Sequence, residues 1–172
     1  KIPSGSMKPN LLVGDFLFVS KWDYGYSRYS FPFGLPPFKG KIFESNPERG
    51  DIIVFKLPGQ ENINYVKRLV GLPGETIKVV NGKIYIKTKN STDFEVLDQV
   101  EDGFFYDDQY SKDIQQLIEN EYRILNITND GPLDYTPEYE IPKDKFFFMG
   151  DNRDNSCLLY TSQSPRDMPR SR

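Results

Sequence analysis

Two runs of alternating apolar and polar residues, Thr76–Val80 and Lys83–Lys87, enclose the pair Asn81-Gly82. An Asn-Gly pair in that setting is the strongest short-range hairpin signal, because both residues accept the positive φ of a tight type I′ turn. The chain therefore commits early to antiparallel strands. A second hairpin is expected from residues 51–56 and 64–70, separated by Leu57-Pro58-Gly59-Gln60, where Pro and Gly sit side by side as turn formers. Residues 15–22 alternate as a strand, with Phe16, Phe18 and Ser20 on one side and Leu17 and Val19 on the other. Residues 122–127 read the same way, and the apolar run 145–149 reads as a buried strand that delivers the polar turn 150–156.

Composition agrees with a β-rich reading. The 172 residues are enough for one real core with room for a small second lobe, and 15% are aromatic, with 11 Tyr and 13 Phe, which favours half-buried strands over a helical bundle. Histidine is absent and Cys157 is the single cysteine, so neither an internal disulfide nor a transition-metal site is suggested. No run reaches the roughly 20 apolar residues of a membrane span. The net charge of −3 is uneven, since residues 88–140 hold 14 Asp/Glu against Lys89, Lys112 and Arg123. This acidic stretch is either a lobe set against a basic face suited to an anionic surface, or a solvated insertion. Within it, Ser111 followed by Ile114, Leu117 and Ile118 predicts a short capped helix. Residues 23–49 are crowded with rings and broken by Gly and Pro, giving an extended aromatic loop that either meets a membrane interface or substrate, or packs on its own core.

Chemistry enters at Pro3-Ser4-Gly5-Ser6-Met7, which looks like a turn presenting a nucleophilic serine. A serine hydroxyl needs a base, and with no imidazole in the chain the best candidate is Lys67, inside the apolar run 65–70. A lysine in water has a pKa of about 10.4, so burial must disfavour its charged form before it can act as a base near neutral pH. Arg68 follows at once, but successive strand residues point to opposite faces, so its charge is directed away from Lys67.

Three segments in order carry a resemblance. The serine turn, the run Tyr65-Val66-Lys67-Arg68-Leu69-Val70-Gly71-Leu72-Pro73-Gly74-Glu75, and Met149-Gly150-Asp151-Asn152-Arg153-Asp154-Asn155-Ser156 resemble the bacterial type I signal peptidases, and residues 49–55 resemble a fourth box of that family. The resemblance implies a mainly β fold, an antiparallel β-sheet catalytic core (residues 1–87 and 141–156) with an inserted smaller α+β lobe at 88–140. It implies Ser6 as nucleophile and Lys67 as general base of a Ser/Lys dyad. Ser4 would share the oxyanion hole with the Ser6 backbone N–H, Ser156 would orient the lysine, and Arg68 with Asp151 would form a structural pair. No metal or cofactor is implied. The substrates would be exported preproteins, cut after small residues at −1 and −3, with Met7 to Val13 and the strand before Lys67 as candidate pocket residues. The partners would be those preproteins and a phospholipid membrane, not nucleic acid, and the place the outer face of the bacterial cytoplasmic membrane.

The family pattern also sets two contrasts. Membrane helices are expected before Lys1, which makes this chain a fragment, and residues 157–172 depart from the Asp-Ser-Arg element and core strands expected after Ser156. Reduced stability follows if those strands are missing. The alternative from another class is an inactive β-domain that only binds a membrane surface or export partners. Self-cleaving repressors use a related dyad but need a DNA-binding domain and a cleavable linker, and neither is visible.

Overall fold

The computed structural model describes residues 1–20, 47–57, 60–128, 130–131, 133–156, 159–161 and 170–171, and among them there is no helix. The strands are β1 Val19–Ser20, β2 Ile52–Leu57, β3 Gln60–Gly71, β4 Thr76–Val80, β5 Lys83–Lys87, β6 Glu95–Val96, β7 Gln99–Asp107, β8 Lys112–Glu119, β9 Tyr122–Asn126, β10 Tyr139–Glu140, β11 Phe146–Met149, β12 Leu159–Thr161 and β13 Arg170–Ser171. They form a six-stranded sheet in the order β1-β13-β2-β3-β11-β12, a four-stranded sheet β10-β4-β5-β6 and a three-stranded sheet β7-β8-β9, all antiparallel.

The β4–β5 hairpin forms as its sequence dictates, with Asn81 at φ 52° and Gly82 at φ 70°. Its inward residues Ile77, Val79, Ile84 and Ile86 pack with Val70, Ile141, Phe147 and Met149 into one core between the four- and six-stranded sheets. A second core, Ile53, Phe55, Leu69, Phe146 and Phe148, occupies the other face of the six-stranded sheet. The apolar run of β11 is buried at all four positions because it serves both cores in alternation. Strand β3 does the same. Leu69 and Tyr65 face the second core and Val70 faces the first, which places Lys67 and Arg68 on opposite sides.

Three expectations meet a different outcome or fall outside the description. The helix expected from Ser111 is strand β8, paired on both sides by β7 and β9. Ser111 lies at φ 49°, in the left-handed region, whereas a helix cap needs an extended backbone; it ends the turn from β7 instead. Ile114 and Ile118, four apart, share a face in a strand as well as in a helix, so spacing alone did not separate the two. Of the strand expected at 15–22, residues 15–20 are described, and among these only Val19–Ser20 pairs, while Phe16 and Phe18 stand 80% and 88% exposed. Residues 23–46 of the aromatic segment 23–49, and residues 21–22 before it, lie outside the described residues.

The acidic stretch is distributed between sheets. Its ends, β6 and β10, flank the β4–β5 hairpin, while β7 to β9 form the separate three-stranded sheet. That sheet is joined to the residues after β11 by the bridge Leu125↔Asn152. Beyond Ser156, β12 pairs with β11 and β13 lies between β1 and β2.

Candidate active site

Three segments far apart in sequence line one cavity of about 350 Å³. The first contributes Ile2, Pro3, Ser4, Ser6 and Met7, the second residues 63–67 of β3, and the third Asn155 and Ser156. Ser4, Ser6, Lys67 and Ser156 are thus brought to a common space, while Arg68 and Asp151 lie outside its lining.

Short backbone bonds shape the serine turn. The Lys8 N–H donates to the Gly5 carbonyl (3.1 Å) and the Leu11 N–H to that of Met7 (2.9 Å). Ile2 is laced to the following segment through its N–H to Asp15 O (2.8 Å) and its carbonyl from Gly14 N–H (2.9 Å). The third segment grips the turn from the other side. The Asn152 N–H donates to Ser6 O (3.1 Å), and its side-chain amide reaches Gly5 O (3.4 Å). This close approach requires glycine at 150, where a Cβ would fall 2.3 Å from the Ser6 carbonyl oxygen and 2.5 Å from Ser156 Cβ.

Ser4 Oγ and Ser6 Oγ are 3.3 Å apart, with Ser4 exposed and Ser6 half-buried. Ser156 is buried and its Oγ accepts the Gly150 N–H at 3.0 Å, which leaves the hydroxyl proton available for a further acceptor. Lys67 is 5% exposed and pairs across the sheet with Ile53. The register of β11 on β3 runs only as far as Arg68, and the cavity opens alongside Lys67 and the residues before it.

Three ion pairs made by residues close in sequence to the cavity's three segments are buried. Arg68 donates from Nε and Nη2 to the two oxygens of Asp151 (2.7 and 2.6 Å) and from Nη1 to Gly50 O (2.7 Å), and its guanidinium lies 4.0 Å from the centre of the Tyr122 ring. Asn10, just past the serine turn, adds a bond to Asp151 Oδ2 at 2.7 Å. Arg153 makes a two-pronged contact with Glu119 through Nη1 and Nη2, and Glu119 also accepts from Gln99 (2.8 Å) and the Tyr122 hydroxyl (2.9 Å). Burial works to raise the Glu119 carboxyl, but the Arg153 charge and these hydrogen bonds outweigh it and hold it below the ordinary carboxylate range. Burial, then the Glu119 charge, pushes the Tyr122 hydroxyl well above its usual value, so it remains a donor. Lys8 meets both oxygens of the fully buried Asp107 at 3.0 Å.

The antiparallel sheets thus gather the serine turn, the buried Lys67 and Ser156 at one cavity. Residues 1–157 match the family described as signal peptidase, peptidase S26, and the chain belongs to that family. Among curated relatives it is similar to "Signal peptidase I" of Rickettsia canadensis (strain McKiel), 37% identical over 167 residues, covering 90% of this chain and 61% of that protein. The protein of the same name from Rickettsia akari (strain Hartford) is 40% identical over 166 residues, covering 90% and 60%. The chain spans about six tenths of the length of these relatives.

Sequence reasoning missed Ile2, Pro3 and Asn155 as cavity residues, and of the segment Met7 to Val13 only Met7 lines the cavity. It also missed the pairs Lys8–Asp107 and Arg153–Glu119. Lys8 had a usable signal, a cation two residues from the nominated serine. Nothing in the acidic stretch distinguishes Asp107 and Glu119 from its exposed acids.

Proposed function

We propose that this chain is the catalytic part of a membrane-associated serine endopeptidase that removes N-terminal signal peptides from exported preproteins. The observation that carries the reading is the shared cavity of Ser4, Ser6, Lys67 and Ser156, in a member of the signal peptidase family. Lys67 takes the proton of Ser6 as Oγ attacks the scissile carbonyl, and the bond from carbonyl carbon to nitrogen breaks as the lysine returns the proton to the departing amine. Water, activated by the same amine, then releases the acyl group from Ser6. The Ser4 hydroxyl and the Ser6 N–H stabilise the developing oxyanion, and the Ser156 hydroxyl aims the lysine. Arg68 and Asp151 brace β3 against the final segment.

The substrate enters as an extended strand beside residues 63–66, where backbone bonds supply affinity. The cavity walls Ile2, Met7 and Tyr65 accept small side chains at −1 and −3. Leu12, Val13, Phe16 and Phe18 are all exposed and follow the serine turn, offering an apolar surface to lipid at the outer face of the bacterial cytoplasmic membrane.

The test is cleavage of a preprotein with an Ala-x-Ala site, in detergent or lipid, by the chain and by Ser6→Ala. Release of the mature product by the parent alone is expected. Product released equally by Ser6→Ala, or by neither folded protein, contradicts the proposal.

A further inference from the structure

One buried ion pair lies outside that chemistry. The Lys8 ammonium contacts both oxygens of Asp107 at 3.0 Å, across 99 residues of sequence, and the two residues are 7% and 0% exposed. Asp107 ends β7, and its Oδ1 also accepts the Gln109 N–H at 2.8 Å, so the carboxylate is fixed at the edge of the three-stranded sheet. Lys8 stands two residues after Ser6, and its stem folds back over the turn. A Cβ built on Gly5 would lie 3.3 Å from Lys8 Cε and 3.4 Å from Cδ, so the stem packs against the residue directly before Ser6.

The turn is therefore fastened at two points. Asn152 holds the carbonyls of Gly5 and Ser6, and Asp107 holds the Lys8 side chain that crosses Gly5. Without Asp107 the ammonium is left buried beside a lost counter-charge, and relief requires it to swing toward water, taking the turn's packing with it. We propose that Lys8 and Asp107 are positioning residues, through which the β7–β9 sheet sets the place of Ser6 Oγ relative to Lys67. This rests on Ser6 acting as the nucleophile. Neither residue touches substrate; the pair acts on the reaction by holding the turn.

The experiment compares the parent chain with Lys8→Met, Lys8→Arg and the double variant Lys8→Met/Asp107→Leu, reading kcat and KM for an Ala-x-Ala peptide beside the thermal midpoint. Removing both charges together avoids an orphaned buried ion, so the double variant is expected to stay folded. Displacement of a reacting atom by an ångström costs about 100-fold, so kcat should fall about 10- to 100-fold in Lys8→Met and in the double variant. KM should stay within about twofold, as for an interaction felt in the transition state. Lys8→Arg, which keeps the charge, should regain most of the lost kcat. A folded double variant with parental kcat overturns the proposal, leaving the pair a structural tie only. Equal losses in Lys8→Met and Lys8→Arg overturn it as well, which covers the case of a double variant that does not fold. An inactive parent sinks the peptidase reading itself and is seen separately in the first measurement.

Discussion

Lys67 and Arg68 are neighbours on one strand, 5% and 6% exposed, yet their surroundings differ. Arg68 has every guanidinium nitrogen committed, two to Asp151 and one to Gly50 O, with an aromatic face against it. Lys67 faces a cavity shared with three serines. Similar burial thus accompanies different surroundings, and the difference comes from strand alternation together with β11 pairing β3 only as far as Arg68. One side of β3 holds Arg68 against Asp151 and Gly50 O, and the other places Lys67 in the lining of the cavity. Under the proposed function Arg68 is a brace and Lys67 a working group, so burial alone does not tell the two roles apart.

The comparison breaks most visibly if the bracing side is cut. Arg68→Ala leaves the fully buried Asp151 without its charge partner, and removing one member of a buried pair costs about 3 to 5 kcal/mol. Denaturant unfolding should show that loss, and a change under about 1 kcal/mol would mean that Arg68 is no brace. On the working side, Ser4→Ala should lower the cleavage rate by about 10²- to 10³-fold while leaving the unfolding midpoint in place. A loss of stability without a loss of rate would assign Ser4 to the structure instead. The smallest effect is expected from pH. The folded Glu119 carboxyl titrates below its ordinary 4.5, so its contribution to stability is complete above that value and is lost as pH falls through the lowered one. Glu119→Gln should therefore be less stable than the parent at pH 7, with the gap closing as pH falls below the ordinary 4.5. A gap that widens in acid contradicts the sign.

Much of this was legible in the chain. Asn81-Gly82 needs positive φ at both positions and has it, and β2, β3, β9 and β11 fall where the apolar patterns put them. What local pattern did not carry was pairing across distance. In strand β8, Ile114, Leu117 and Ile118 fit a helical face, and only the pairing with β7 and β9 decides for a strand. Ser6 and Lys67 stood out because a serine turn and a lysine in an apolar run are odd locally. Asp107 and Glu119 did not, because an acidic stretch gives no sign of which carboxylates turn inward to meet Lys8 and Arg153.

Under the proposed function Ser6 and Lys67 work as a pair across the cavity. The most direct measurement is mass mapping of the adduct formed by a serine-directed acylating probe on the parent chain and on a folded Lys67→Ala variant. An adduct on Ser6 in the parent, reduced to background in Lys67→Ala, is the predicted result. Equal labelling of Ser6 in both proteins, or an adduct elsewhere in the chain, would contradict it.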